Sequence, residues 1–132
     1  MNQRIEVVGA VIVKEGKVLC TQRSVTMRLP HKWEFPGGKV EAGETLKEAL
    51  VREIKEELDC VIQVNEKITR TEFDYTKSKI ALNTFYCSLK GDDIELLEHE
   101  AMKWVAPKEL LKLTWAPADI PTVRMIMRQM ND

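Results

Sequence analysis

Cysteine is sparse and unpatterned in this chain of 132 residues: Cys20, Cys60 and Cys87 are odd in number, widely spaced and lack a CxxC pair. That argues against a disulfide framework or a cysteine zinc site and fits a reducing compartment. An excess of one charge is also missing, with 20 Lys and Arg against 21 Asp and Glu. No broad basic footprint exists for a nucleic-acid backbone, so no nucleic-acid polymer is expected as a partner. The longest apolar run, Val7 to Val13, is too short to span a bilayer. The start, Met1-Asn2-Gln3-Arg4-Ile5-Glu6, carries no apolar signal core. The expectation is a soluble, cytoplasmic protein with no membrane partner. No repeat, low-complexity stretch or linker divides residues 1–132, and the length suits one domain with a real core.

Hydrophobic residues make up 44% of the chain, enough for such a core. Val7 to Val13 is β-branched, as a buried strand would be, and Lys14-Glu15-Gly16-Lys17 predicts a turn into a second strand, Val18 to Gln22. Residues 24 to 39, punctuated by Pro30, Pro36, Gly37 and Gly38, predict a loop. A helix is expected from about Thr45 to Leu58. Strands are expected at Cys60 to Val64, Thr69 to Tyr75, Ile80 to Ser88 and Met102 to Ala106. A short helix at Pro107 to Leu113, with proline in its first turn, and a C-terminal helix at Pro121 to Met130 complete the pattern. Strands and helices mix without strict βα alternation, which predicts an α+β fold or an α/β/α sandwich.

On a helical wheel Leu46, Leu50, Ile54 and Leu58 form one apolar stripe, widened by Val51. Glu48 and Lys55 lie opposite, toward solvent. Glu57 instead falls between Leu46 and Leu50, Glu53 borders the same arc, and Glu56 lies just beyond it. Burying like charges together is costly unless cations offset them. The i, i+3, i+4 spacing makes Glu53, Glu56 and Glu57 neighbours. Oxygen ligands on one rigid face suit a hard cation such as Mg²⁺ or Mn²⁺, and Mg²⁺ commonly shares phosphate oxygens as ligands. From the wheel alone, a charged face paired with Arg52 and Lys55 stays equally open. The entry segment Phe35-Pro36-Gly37-Gly38 favours the cation, because glycines let backbone approach a metal or phosphate closely. Thr45 is one reading of the N-cap.

Gly38, five residues, Glu44, seven residues, then Arg52-Glu53-Ile54-Lys55-Glu56-Glu57 resembles the Nudix box. Six such fixed letters would arise by chance in about 10⁻⁵ of chains this size at average composition. One position departs: the family usually has glycine after Leu58, and this chain has Asp59. A glycine there would cap the helix, and aspartate tolerates the left-handed conformation better than most residues, so some stability rather than chemistry should be lost.

The resemblance implies a Nudix α/β/α sandwich with a mixed β-sheet. It implies that Glu53, Glu56 and Glu57 bind divalent cations with the Gly37 carbonyl, and that Glu44 and Arg52 form an ion pair orienting the glutamates. Beyond the box, Thr21-Gln22-Arg23 and Trp33 to Glu41 look MutT-like. Glu98-His99-Glu100 before Trp104 and Ala116 to Pro121 look like the CTP-hydrolysing branch. The implied reaction is attack of water on the β-phosphorus of a nucleoside triphosphate, giving a nucleoside monophosphate and pyrophosphate. Glu53 is the first candidate base and Glu98 the second; Glu98 is also expected at the metals. Arg23 and Lys39 would neutralise phosphate oxygens.

Simpler readings stand beside these. Arg23 could be a strand-end charge, Lys39 a solvent-facing one, and Glu98 part of a solvated acidic loop. His99 reads as structural, and Trp33 and Trp104 as packing, while Phe35 could line a base pocket. Asp119 is expected either against the base edge or as an N-cap before Pro121. If ionised, it only accepts hydrogen bonds, which would favour donor-rich edges of cytosine, guanine or 8-oxoguanine. No proline lies between Val61 and Val105, which argues against the ADP-ribose class. Tyr75 keeps diadenosine polyphosphates as an alternative substrate. A binding module without catalysis should have lost box glutamates, and none is lost. Oligomeric state stays open between monomer and homodimer.

Overall fold

The computed structural model describes residues 4–130; part of the leader reading, Met1 to Gln3, lies outside them. Strand β1 (Ile5–Lys14) is the axis of the sheet. Along one edge it pairs in parallel with β6 (Ser78–Leu89), from Ile5–Ile80 to Ile12–Cys87. Its other edge is shared. Residues Val7 to Gly9 pair with β4 (Gly37–Lys39), and Val13 and Lys14 pair with β2 (Lys17–Gln22). The turn between β1 and β2 has positive φ at Glu15 and Gly16, as a tight hairpin needs. Strand β5 (Ile62–Tyr75) extends the sheet beyond β6, while β3 (Trp33–Glu34) and β7 (Ala101–Val105) pair with β2.

Alternation along β1 builds two cores, as the period of a strand buried on both faces requires. Val8, Ala10 and Ile12 face helix α1 (Leu46–Leu58) and pack with Leu50, Ile54 and Leu58. Val11 faces the other way, toward Trp33, Phe35, Trp115 and helix α2 (Ile120–Gln129). The result is the expected mixed-sheet α/β/α sandwich. Each fully buried Leu or Ile on α1 contributes roughly 1.5–3 kcal/mol of apolar burial. No helix among the described residues is long and apolar enough to cross a membrane.

Helix α1 starts on a complete capping box: Thr45 Oγ1 accepts from the Glu48 N–H at 3.1 Å, and the Glu48 carboxylate accepts from the Thr45 N–H at 2.9 Å. It ends at Asp59, which takes the left-handed conformation (φ 48°, ψ 44°) where glycine was the family expectation. The apolar stripe is rotated from its expected position. Val51 is 38% exposed, whereas Ala49 and Glu57 are buried. The buried arc therefore leans toward the glutamates.

Two other expectations change. The segment 24 to 39 holds β3 and β4 within the expected loop, because Gly37 and Gly38 run against β1 closely enough that a Cβ on Gly37 would overlap the Val8 carbonyl. The strands expected at Cys60 to Val64 and Thr69 to Tyr75 are one strand. The polar run Asn65-Glu66-Lys67 is carried through register shifts between Val64, Lys67 and Thr69 rather than through a loop. The 107–113 helix forms as a 3-10 helix, Pro107–Lys112.

Candidate active site

The turn Phe35-Pro36-Gly37 is pinned to β1 by the Ala10 N–H, which donates to the Pro36 carbonyl at 2.8 Å. A buried carboxylate approaches it from each side. Glu57 Oε1, from the last turn of α1, accepts from the Gly37 N–H at 3.2 Å. Asp119 Oδ1, just before α2, accepts from the Phe35 N–H at 3.2 Å. Both border one cleft of about 580 Å³, lined also by Arg23, Arg28, Lys39 and Tyr75.

At the Glu57 end the electrostatics are uniformly acidic. Burial, reinforced by Glu34, Glu53 and Glu98, pushes the Glu57 carboxyl up to about 9, against the opposing pull of the Gly37 N–H. Arg52 holds the surrounding carboxylates. Its guanidinium meets Glu44 at 2.6 and 2.9 Å, Glu53 at 2.8 Å and Glu56 at 3.1 Å, and donates to the Lys39 carbonyl at 3.0 Å. Glu53 is half-buried, while Glu56 and Glu98 are exposed. Drawn onto Arg52 in this way, the box carboxylates do not converge: among the described residues no group of at least three His, Cys, Asp or Glu side chains forms a ready ligand shell. The donor set nevertheless fits a hard divalent cation. It is all oxygen, its central member is a buried carboxyl crowded by like charges, and Gly38 leaves room that a Cβ would fill by running into Glu53.

The opposite end is built from distant segments. Trp33 donates to the Thr114 carbonyl at 2.8 Å, and the Trp33 carbonyl accepts from the Ala116 N–H at 2.9 Å. This lays residues 114 to 116 beside β3 and carries Asp119 to Phe35. The Phe35 ring packs 4.7 Å from Trp115, and the Tyr75 hydroxyl accepts from the Ala118 N–H at 3.1 Å. Asp119 is 6% exposed, and it occupies the N-cap position of α2 without a side-chain cap bond. Its carboxylate is engaged with Phe35 instead, which removes the capping reading. Burial, and secondarily Glu34, holds its carboxyl well above the ordinary aspartate range, with the Phe35 N–H and Arg23 opposing. Burial thus works against the ionised, accept-only Asp119 of the sequence reading.

Glu34 stands between the two ends and was not singled out by sequence. One oxygen pairs with Arg23 at 2.5 Å and the other lies 2.8 Å from His99 Nε2. Arg23 also donates to the Arg28 carbonyl through Nε. Lys39 is exposed at the cleft. Trp33 is buried in the second core beneath Lys103, and Trp104 packs against the first. The free cysteines are all buried. The signal for Glu34 was only its place in a MutT-like string; that it would meet His99 required the fold.

Comparison with known proteins identifies the family. A NUDIX domain model matches residues 3–126. The chain is 37% identical over 123 residues to the CTP pyrophosphohydrolase of Escherichia coli (strain K12), covering 93% of this chain and 91% of that protein. It is 26% identical to the 8-oxo-dGTP diphosphatase of the same organism, covering 92% and 94%. Among solved structures, the DNA mismatch repair protein MutT of methicillin-resistant Staphylococcus aureus 252, a Nudix hydrolase, is 49% identical with a TM-score of 0.80, covering 98% of this chain and 99% of that one. The chain therefore belongs to the Nudix family and is a nucleotide pyrophosphohydrolase.

Proposed function

We propose that the chain hydrolyses nucleoside triphosphates, ordinary or base-oxidised, to a nucleoside monophosphate and pyrophosphate, in a nucleotide-pool sanitising role. The observation that carries this reading is the single cleft joining the acidic Glu57 end to the Phe35–Asp119 end. A triphosphate with its base attached presents matching chemistry: anionic oxygens for the first, a flat polar-edged ring for the second. The relatives named for CTP and for 8-oxo-dGTP support the same substrate class.

Glu53, Glu56, Glu57 and Glu98, with the Gly37 carbonyl, would hold the divalent cation, Mg²⁺ or Mn²⁺. When bound it supplies charge neutralisation at the phosphates and a lowered pKa for water. The chain's own residues do the rest. Glu53 takes a proton from water as the oxygen attacks the β-phosphorus, and the bond to the α–β bridging oxygen breaks. Glu98 is the second candidate for that proton. Lys39 and the remaining N–H groups of Arg23 face phosphate oxygens. Gly38 keeps space for Glu53, and the Glu44–Arg52 pair fixes where the helix presents it. At the other end, neutral Asp119 offers one donor and one acceptor. That pair matches the N3 and amino group of cytosine, or the O6 and N1–H of guanine and 8-oxoguanine.

Pyrophosphate release from a panel of triphosphates with Mg²⁺ tests the proposal. The expected result is turnover that Glu53→Gln reduces by at least about 10²-fold while the circular dichroism is unchanged. Absence of release from every triphosphate in the panel would sink it.

A further inference from the structure

The segment between β6 and β7 is irregular, yet it is fastened closely to the site. Glu95 donates its N–H to the Leu58 carbonyl at 2.8 Å, Leu97 to the Glu57 carbonyl at 3.0 Å, and Glu100 to the Gln22 carbonyl at 2.9 Å. Glu100 also meets His31 at 3.0 Å through its side chain. Between these anchors His99 turns inward, and its side chain is fully buried. Glu98 alone of residues 97 to 100 is left exposed and without a hydrogen bond among the described residues, while its charge still reaches Glu57. A turn whose other members are each bonded is built to present the one that is not.

Among the described residues His99 makes a single side-chain polar contact, Nε2 to Glu34 Oε2 at 2.8 Å, and its buried Nδ1 has no partner. An ionised carboxylate only accepts, so the proton of that bond sits on Nε2. A buried nitrogen without a partner costs free energy that leucine in the same space would not incur. The histidine is therefore explained by its bond to Glu34, not by packing. Glu34 is itself braced from the other side by Arg23 at 2.5 Å.

We infer that His99 is a positioning residue: its bond to Glu34 locks the Leu97–Glu100 turn to the cleft wall and thereby sets where Glu98 stands relative to Glu57. The inference rests on the role given to Glu98 above. It makes Arg23, Glu34 and His99 one brace, running from the β2 strand end through the cleft wall to the acidic loop. His99 acts on the reacting end through Glu34 and the turn, without itself touching substrate.

The test compares His99→Ala with His99→Gln, whose amide N–H₂ can replace the Nε2 donor. In the metal-free protein, amide exchange at Leu97 and Glu100 is expected to rise about tenfold or more in H99A and to stay near wild type in H99Q. With Mg²⁺ and triphosphate, H99A is expected to lower kcat about tenfold with KM within about twofold, and H99Q to restore most of it. In a Glu98→Gln background the same H99A change is expected to cost less than about twofold, because its effect runs through Glu98. Unchanged exchange in H99A, or a full H99A loss persisting beside E98Q, would overturn the inference. Should H99A prove too unstable to purify, Glu34→Ala breaks the contact from its other side and must give the same exchange signature. A wild type that releases no pyrophosphate would defeat the triphosphate reading instead, and the exchange measurement would still decide whether His99 holds the turn.

Discussion

Glu57 and Asp119 meet the same short turn from opposite sides, each accepting one backbone N–H at 3.2 Å, and both are raised by burial. Their surroundings differ. Glu57 has Glu34, Glu53 and Glu98 around it, so its environment disfavours the charged form. Around Asp119, burial is joined by the charge of Glu34, with the Phe35 N–H and Arg23 opposing, and the Phe35 ring that borders the cleft packs on Trp115. One carboxyl lies in a crowd of like charges, the other among few. On the proposed reading the same residue chemistry would serve anhydride cleavage at one end and base recognition at the other, and the neighbours would decide which.

The sharpest way to break this contrast is to remove the carboxyl at each end separately. Glu57→Gln is expected to lower kcat by at least about 10²-fold for every triphosphate alike, without changing their ranking, in a pyrophosphate-release assay. Asp119→Ala should do the reverse. Ranking by kcat/KM should collapse by roughly 10–100-fold between the preferred base and its competitors, while the Mg²⁺ concentration for half-activation stays put. Asp119→Asn retains a neutral donor and acceptor and is expected to hold activity within a few-fold. A much larger loss in that variant would mean the acid is ionised at work.

A pH titration of stability sharpens the Glu57 side. A carboxyl raised in the folded state binds its proton more tightly there than in the unfolded chain. Its contribution is complete below the ordinary value of 4.5 and is lost as pH rises through about 9. The metal-free protein should therefore show a falling Tm across that window, and E57Q a flatter curve. Mg²⁺ should recover the wild-type Tm at the alkaline end and leave E57Q nearly unmoved. Equal pH slopes for the two proteins would show that the crowding is relieved without a cation.

The smallest expected effect lies one residue beyond the metal end. Asp59 closes α1 in the left-handed conformation and meets Lys55 at 2.8 Å. Asp59→Gly removes the steric cost of that conformation and loses an exposed i,i+4 pair. We expect a net gain of about 0.5 kcal/mol in denaturant unfolding, with kcat unchanged.

What the sequence determined by itself is whatever a single helix fixes. Residues 45 to 58 carry their own cap and stripe, with Glu53 and Glu57 beside the leucines, because helical spacing places neighbours at i+3 and i+4 regardless of the rest of the chain. The apolar, β-branched run Val7 to Val13 likewise reads as a buried strand. Other features were decided by tertiary structure. Gly37 and Gly38 became strand because β1 pairs with them, and polar residues 65 to 67 stayed in β5 because β6 runs alongside. Val51 turned outward because the sheet receives α1 on its Ala49 and Glu57 side. Asp119 reaches Phe35 across 84 residues only because residues 114 to 116 dock on Trp33, and Glu34 joins Arg23 to His99 by the same kind of long-range meeting. The raised proton affinity of Asp119 belongs to that second group too. The sequence names a carboxyl, but desolvation shifts its titration, and desolvation exists only once the chain has closed around it.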